Sequence, residues 1–581
     1  MKRIQGVPAA PGVARGPWIL LEAASVPAGG RIAPEAAVDE VARLRSAAES
    51  AAVELERIAG RIGDDGHPDE AAIFEAQASI ARDPALASMA ADRIERQSED
   101  AIAAIMGAAA SFADQLRALD DELLAARAAD VLDVGQRITR RLAGRPDAPG
   151  TSLDRPAVVV AEDLAPSMTA TLPRERLLGI ALEGSSPTAH GAILARAYGI
   201  PAVVGAAGLI AGIQAEGDGP SAAEIAIDGR SGEIILDPDT ATRARFDGSA
   251  QEGRRRHDAD IRDAAQPAET RDGTTIELLA NIGTPNESDP AIELGAHGVG
   301  LFRTEFLFME RTAPPSEDEQ VAAYEQVVRA FAPRPVTIRL LDVGGDKPIP
   351  YLPIEAEANP FLGVRALRLA FDDPTLFVTQ LRACYRAAAA GPIKVMAPMV
   401  ADARDVELLL RLAEGARTAL VTEGQAIGDV ILGVMLEIPA AVLVADTYFG
   451  RIGFASLGTN DLLQYTLAVD RGNAALERYR DPLHPSVLRL IEMAVAAADR
   501  AGIELSVCGE MAGDPASALA LTGLGIRSLS MAGPSLPAVR RAIRGVSLVE
   551  AAGGARAALG DPSAAEARAR FDRLLRPDDD R

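Results

Sequence analysis

One histidine, and a separate set of arginines, acids and a thiol, carry the chemistry this sequence can do. The histidine is His190, in the stretch GSSPTAHGAILAR (184–196), and it is one of only 5 in a chain of 581 residues. It sits among Gly, Ser, Pro, Thr and Ala, just where a helix is expected to begin. Small neighbours let other groups approach closely, and the unpaired N–H groups of a helix N-terminus favour anions. A histidine held this way suits carrying a phosphate; a histidine merely packed at a turn would look the same until other residues are weighed.

The second set recurs where apolar, strand-like runs end. Arg303 follows GVGLF, Arg339 closes PVTIR with Asp342 just beyond, and Glu437 closes ILGVMLE. Asn460 and Asp461 follow RIGFASLGT, and Cys508 and Glu510 follow ELSV. Arg365, after NPFLG, and Arg471, after YTLAVD, fall in loops expected on the same rim. Any one of these reads as a surface ion pair, but polar groups that repeatedly end apolar strands do not. Guanidinium forks suit phosphate and carboxylate oxygens and stay charged. Glu437 and Asp461 are hard oxygen ligands, too few for an all-protein calcium cage but suited to Mg²⁺, which fills its shell with water and substrate oxygens. Together these groups suit a small molecule that carries both phosphate and carboxylate. Cys508 has two readings: a buried free cysteine that is only a small hydrophobe, or a thiol of ordinary pKa, near ~8.5, that gives a proton to a carbanion.

These residues need elements to place them. From residue 271 onward, apolar runs (TIELLANI, GVGLFRTEFLF, PVTIRLLDVGG, IKVMAPMV, ILGVMLEIP, RIGFASLGTND, ELSVCGEMAG, SLSMAGPS) alternate mostly with helical patterns. Eight strands with intervening helices are the arithmetic of a (β/α)8 barrel, whose chemistry gathers at the C-terminal strand ends; some doubly wound sheets share the rhythm. Upstream, RIQGVPAAPGVARGPWILL predicts one or two strands. Val41, Leu44, Ala48, Ala51, Leu55, Ile58 and Ile62 then recur at helical spacing, the start of an expected four-helix bundle. Short apolar runs at 158–161, 178–182, 202–204 and 233–236 predict a compact α/β domain. The expected organisation is an α/β domain over 1–34 and 145–240, an inserted helical bundle over 35–144, a helical linker over 241–270 and a TIM-type barrel over 271–581. The fold class is multidomain α/β.

Composition sets outer bounds. With 59 Lys and Arg against 83 Asp and Glu, the net charge of −24 disfavours nucleic acid and anionic membranes as partners. No apolar run approaches the roughly 20 residues of a membrane span. The segment MKRIQGVPAAPG lacks the apolar core of a signal peptide, and two cysteines, Cys384 and Cys508, form no disulfide framework. A cytoplasmic location is expected. Cys384, in the helical pattern QLRACYRAA, is expected to be packing, and His484, in a loop beyond Arg471, could line the barrel rim.

Phosphoenolpyruvate fits both chemical sets. Loss of its phosphoryl group leaves an enolate that needs a proton at carbon, and a histidine nitrogen is a sound acceptor for the phosphoryl group. The linker would let the histidine domain swing onto the barrel.

The chain resembles enzyme I of the bacterial phosphoenolpyruvate:sugar phosphotransferase system over essentially its full length. The resemblance rests on GVPAAPGVARG, EAAIFEAQ, DLAPSMTA, ANIGTPNE, GVGLFRTEFLFM, DVGGDKP, NPFLGVRALR, MLEIPAA, SLGTNDLLQYTLAVDRGN and CGEMAGD. It implies that His190 is the phosphorylated residue, with Thr169 as a hydroxyl partner. It implies that Arg303, Arg339, Arg365, Asn460, Asp461 and Arg471 bind phosphoenolpyruvate. Glu437 and Asp461 would hold Mg²⁺, and Cys508 would donate the proton. The helical bundle would dock the phosphocarrier protein HPr, and the barrel would form a homodimer. The first step of sugar uptake is the implied role.

One stretch departs from the family. Its turn usually reads Gly-Gly, any residue, Thr-Ser-His; here Ser185, Ser186, Pro187, Thr188 and Ala189 precede His190. If the two glycines serve left-handed backbone or close approach, the serines cost about 1 kcal/mol or more. An active turn is expected nonetheless, since Thr188 and AILAR are kept. A nitrogen-related regulatory paralogue and a catalytically impaired signalling protein are the alternatives. A dikinase or phosphoenolpyruvate synthase is disfavoured, because only a helical insert precedes the histidine.

Overall fold

Runs such as AVVVA at 157–161 bury every side chain, which calls for an interior strand covered on both faces. The structure, a computed structural model of the chain, describes all residues except 22–28, 65–67, 118–121, 145–152, 154, 165–171, 185–191, 193–194, 196–198, 215–223, 310, 312, 345–348, 350, 353, 355–356, 358, 471–473 and 577–581. It divides into two units, Met1–Arg255 and Arg256–Arg581.

The first unit opens with three strands, β1 (Lys2–Gln5), β2 (Val7–Ala10) and β3 (Val13–Leu21), where one or two were expected. The extra breaks fall at Gly6 and at Gly12, whose φ of +130° turns the chain in a way side chains rarely allow. Strands β4 (Ala157–Ala161), β5 (Leu177–Leu182), β6 (Ala202–Val204), β7 (Glu224–Asp228) and β8 (Glu233–Leu236) complete one sheet in the order β1-β8-β7-β3-β4-β5-β6-β2. Strand β7 was not foreseen, its apolar core being only three residues long. Pro8 is tolerated because β2 lies at the sheet edge.

Between β3 and its parallel neighbour β4 the described residues form five α-helices where four were expected: α1 (Ala37–Asp64), α2 (Pro68–Ala81), α3 (Pro84–Gln97), α4 (Ala101–Arg117) and α5 (Glu122–Leu142). What reads as one helical stretch is cut at Asp83, whose carboxylate accepts from the Ala85 N–H at 2.7 Å with Pro84 at the first helical position. The faces share one core around Leu55, Phe74, Ala90, Ile105 and Val134. Buried Glu54 is held by Arg137 at 2.9 Å and Arg141 at 2.6 Å. Short helix α6 (Leu209–Gln214) packs on the sheet, and α7 (Thr240–Arg262) runs across the division between the units.

The second unit is a closed barrel of eight parallel strands: β9 (Glu277–Ile282), β10 (Val299–Phe302), β11 (Val336–Arg339), β12 (Ile393–Ala397), β13 (Val430–Leu436), β14 (Phe454–Leu457), β15 (Glu504–Val507) and β16 (Ser528–Ala532). Strand β16 pairs with β9 to close it. Outward side chains such as Leu278, Ile338 and Leu529 pack under the surrounding helices, and Cys384 is part of that packing. Among the described residues no helix is long and apolar enough to cross a membrane.

Candidate active site

The C-terminal strand ends of the barrel bring seven of the predicted residues to one cavity. Arg303, Arg339, Arg365, Glu437, Asn460, Asp461 and Cys508 all line a space of about 220 Å³. Thr169, His190 and Arg471, with Ser185, Ser186 and Ala189, lie outside the described residues.

Arg303 follows β10, and its N–H donates to the Ile282 carbonyl at 2.9 Å, fixing the chain to the end of β9 while the side chain stays exposed. Arg339 is the last residue of β11 and is buried between two acids: one guanidinium nitrogen meets Glu305, the other lies 3.2 Å from Asp342. Burial opposes its charge; Glu305 and Asp342 outweigh that and hold it cationic.

Arg365 comes from a loop rather than a strand. Its Nε and Nη2 donate to Asp342 at 3.1, 3.0 and 2.9 Å, and Nη2 lies 3.4 Å from Asp461. This loop must pass close to the end of β11, and Gly344 permits it: a Cβ there would sit 2.7 Å from the Arg365 Cβ, and its φ is +106°. The Tyr465 hydroxyl steadies the same loop, donating to the Phe361 carbonyl at 2.6 Å.

Glu437 follows β13 and is 1% exposed. Its carboxylate accepts from the Met399 N–H at 2.6 Å, and Met399 adopts a φ of +57° where β12 ends. That conformation is uncommon for a residue with a side chain and marks a backbone held for a purpose. Burial, then the nearby Asp461 and Asp342, push the Glu437 carboxyl up to about 8. Asn460 and Asp461 open the helix Thr459–Leu467, where the Asn460 side-chain oxygen accepts from the Glu510 N–H at 3.0 Å.

Cys508 follows β15 and is 2% exposed, with its N–H donating to the Leu457 carbonyl at 3.0 Å. Burial pushes the thiol up to about 11, well above the value expected from sequence. Such a group stays protonated near neutral pH, which is the form a proton donor needs.

The donor set fits a divalent cation. Glu437 and Asp461 supply two hard oxygen ligands among crowded carboxylates, and a cation would relieve the repulsion that raises Glu437. Among the described residues no three His, Cys, Asp or Glu side chains form a metal cage, so the remaining ligands would come from substrate and water. Gly458 keeps the space beside Glu437 open: a Cβ there would lie 2.9 Å from its carboxylate.

Sequence reasoning passed over Glu305 and Tyr465. Glu305 is the first acid after Arg303, two residues beyond it, and that adjacency was the available signal. Tyr465 offers no comparable one. Behind them, the Thr304 hydroxyl donates to the Arg339 carbonyl at 3.0 Å and accepts from Gln380 at 3.0 Å. His484 does not line the cavity; it caps the helix Pro485–Ala501, accepting from the Ser486 N–H at 3.2 Å. His297 accepts from the Leu278 N–H at 3.3 Å, and burial lowers its pKa.

Three family descriptions cover most of the chain: "PEP-utilising enzyme, N-terminal" at 5–127, "PEP-utilising enzyme, mobile domain" at 153–232 and "PEP-utilising enzyme, PEP-binding domain" at 258–548. The phosphoenolpyruvate-protein phosphotransferase of Geobacillus stearothermophilus is 38% identical over 95% of this chain and 94% of its own. That of Streptomyces coelicolor is 42% identical over 93% and 92%. The multiphosphoryl transfer protein of Rhodobacter capsulatus is 40% identical over 90% of this chain, which spans only 62% of that longer relative. The chain belongs to the PEP-utilising enzymes and, within them, to the phosphoenolpyruvate-protein phosphotransferase family.

Proposed function

We propose that this protein transfers the phosphoryl group of phosphoenolpyruvate to its own His190, releases pyruvate, and passes the group to a histidine of an HPr-type carrier in the cytoplasm. The observation that carries this reading is the single cavity in which buried arginines, a carboxylate pair and a protonated thiol converge.

Arg303, Arg339 and Arg365, with Arg471, bind the phosphate and carboxylate oxygens as forks. Glu437 and Asp461 hold Mg²⁺, which when bound neutralises charge on the transferring phosphoryl group and the enol oxygen. Asn460 adds a polar contact to the substrate. An imidazole nitrogen of His190 attacks phosphorus, the P–O bond breaks, and the enolate remains; Thr169 orients the imidazole. The Cys508 thiol then gives its proton to the terminal carbon, forming the C–H bond of pyruvate and leaving a thiolate. Residues 35–144 dock the carrier, residues 241–270 act as a helical linker, and the barrel over 271–581 carries the dimer contact.

Pyruvate release on mixing with phosphoenolpyruvate and Mg²⁺ tests the reading. One pyruvate per chain is expected without carrier, and continuous release once HPr is added. Absence of the initial release would contradict it.

A further inference from the structure

The interior of an eight-stranded parallel barrel is ordinarily filled by bulky apolar side chains. One side of this interior follows that rule: Leu301, Met396, Met435 and Phe454 pack together with Cys508. Another side does not. Strand register sets Ser456 beside Ser506, Ser506 beside Ser528, and Ser528 beside Glu277. Registered neighbours share a face, and Cys508 lies two residues beyond Ser506 on that same face.

All three serines are buried. Ser528 donates to the Glu277 carboxylate at 3.1 Å, and Ser506 donates to the Ala455 carbonyl at 3.5 Å. The Ser456 hydroxyl makes no hydrogen bond of ordinary geometry, yet it is near enough to the Cys508 thiol to favour its ionisation. An unsatisfied buried hydroxyl costs about 1–3 kcal/mol, so Ser456, the one of the three serines left without a partner, calls for a reason. Glu277 begins β9 at the N-terminal mouth of the barrel and is partly exposed. It faces Lys394 of β12 and Glu504 of β15, which pair at 2.5 Å.

We propose that Ser456, Ser506 and Ser528 relay protons from Glu277, at the N-terminal mouth of the barrel, to the thiolate of Cys508. The relay rests on the reading of Cys508 as proton donor. Once the thiol has protonated the enolate carbon, the thiolate takes a proton from Ser456. Ser456 takes one from Ser506, Ser506 from Ser528, and Ser528 from Glu277, whose carboxylate first takes a proton from solvent at the mouth and so turns from acceptor of the Ser528 hydroxyl to donor. Each hydroxyl gains and loses one proton, and the net change is one solvent proton delivered to product. Adjacent strands lie about 4.8 Å apart, a gap that serine rotamers or one bridging water closes. Refilling from below regenerates the thiol while pyruvate still covers the cavity side.

The protein incubated with pyruvate and Mg²⁺ in D₂O tests this, with pyruvate isotopologues counted by mass spectrometry at early times. The relay reloads the thiol with deuterium while pyruvate stays bound, so doubly and triply deuterated pyruvate appear together with the singly labelled form. Ser506→Ala is expected to lose the multiply labelled early product, Glu277→Gln to reduce it, and Ser506→Thr to restore it. The ratio reports active molecules alone, so partial unfolding of a variant does not mimic the result. An isotopologue ratio unchanged in both Ser506→Ala and Glu277→Gln overturns the relay. Wild-type protein that exchanges no methyl hydrogen, or Cys508→Ala that exchanges as fast as wild type, overturns the donor reading and the relay with it.

Discussion

Arg365 grips Asp342 through three hydrogen bonds of 3.1, 3.0 and 2.9 Å while also standing 3.4 Å from Asp461. A residue from a loop is thereby tied to the chain just beyond β11 and to the helix that follows β14, and Asp342 in turn braces Arg339. Removing Asp342 leaves two buried guanidinium groups short of a counter-charge. Asp342→Ala is expected to cost about 3–5 kcal/mol of stability, measured by denaturant unfolding. A loss below about 1 kcal/mol would mean that the pair behaves as an exposed one.

Glu305 touches one terminal nitrogen of the Arg339 guanidinium while Asp342 lies by the other, and Glu305 does not line the cavity. It acts through the guanidinium it holds. Glu305→Gln keeps the shape but gives up a charge-assisted contact of about 1.5–3 kcal/mol, so kcat/KM for phosphoenolpyruvate is expected to fall by about 10- to 100-fold. Glu305→Asp should recover part of it, and initial-rate kinetics would show both.

Cys508 should react as a buried thiol, not as an activated one. With the thiol pushed up to about 11, its alkylation by iodoacetamide should rise about tenfold per pH unit beyond the ordinary value of 9.0 before levelling. Cys508→Ala supplies the blank. A plateau near 9.0 would show that burial does not govern the thiol.

Glu437 links metal, pH and stability. Its folded-state pKa is raised from 4.5 to about 8, so the folded protein holds this proton more tightly than the unfolded chain does. The resulting stability is full below 4.5 and is lost as pH rises toward about 8. A divalent cation takes the proton's place, so the rise in Tm on adding Mg²⁺ should grow between pH values of about 6 and about 8. Glu437→Gln should remove that growth, stabilise the metal-free protein at the upper pH, and lower turnover by about 10²–10³-fold.

The barrel was legible because its strands are short apolar runs, five of which are followed closely by a charged or polar residue or a thiol, the pattern strand-end chemistry requires. The cavity residues were legible for the same reason. Other features were not. Glu305 and Tyr465 act on Arg339 and on the Arg365 loop through contacts that form only once distant segments meet, and no local period announces them. The bundle count failed at Asp83 and Pro84, where a cap and a proline end one helix and start another within a single helical composition. The raised thiol of Cys508 also follows from burial that sequence alone does not measure.

The most direct measurement follows labelled phosphoenolpyruvate, with Mg²⁺, onto wild-type protein and onto His190→Ala, with HPr added as a chase. The account predicts acid-labile, base-stable label on the wild type, none on His190→Ala, and departure of the label to HPr, despite serines at 185 and 186. Equal label on both proteins, or none on the wild type, would contradict the assignment of His190 as the residue that carries the phosphoryl group.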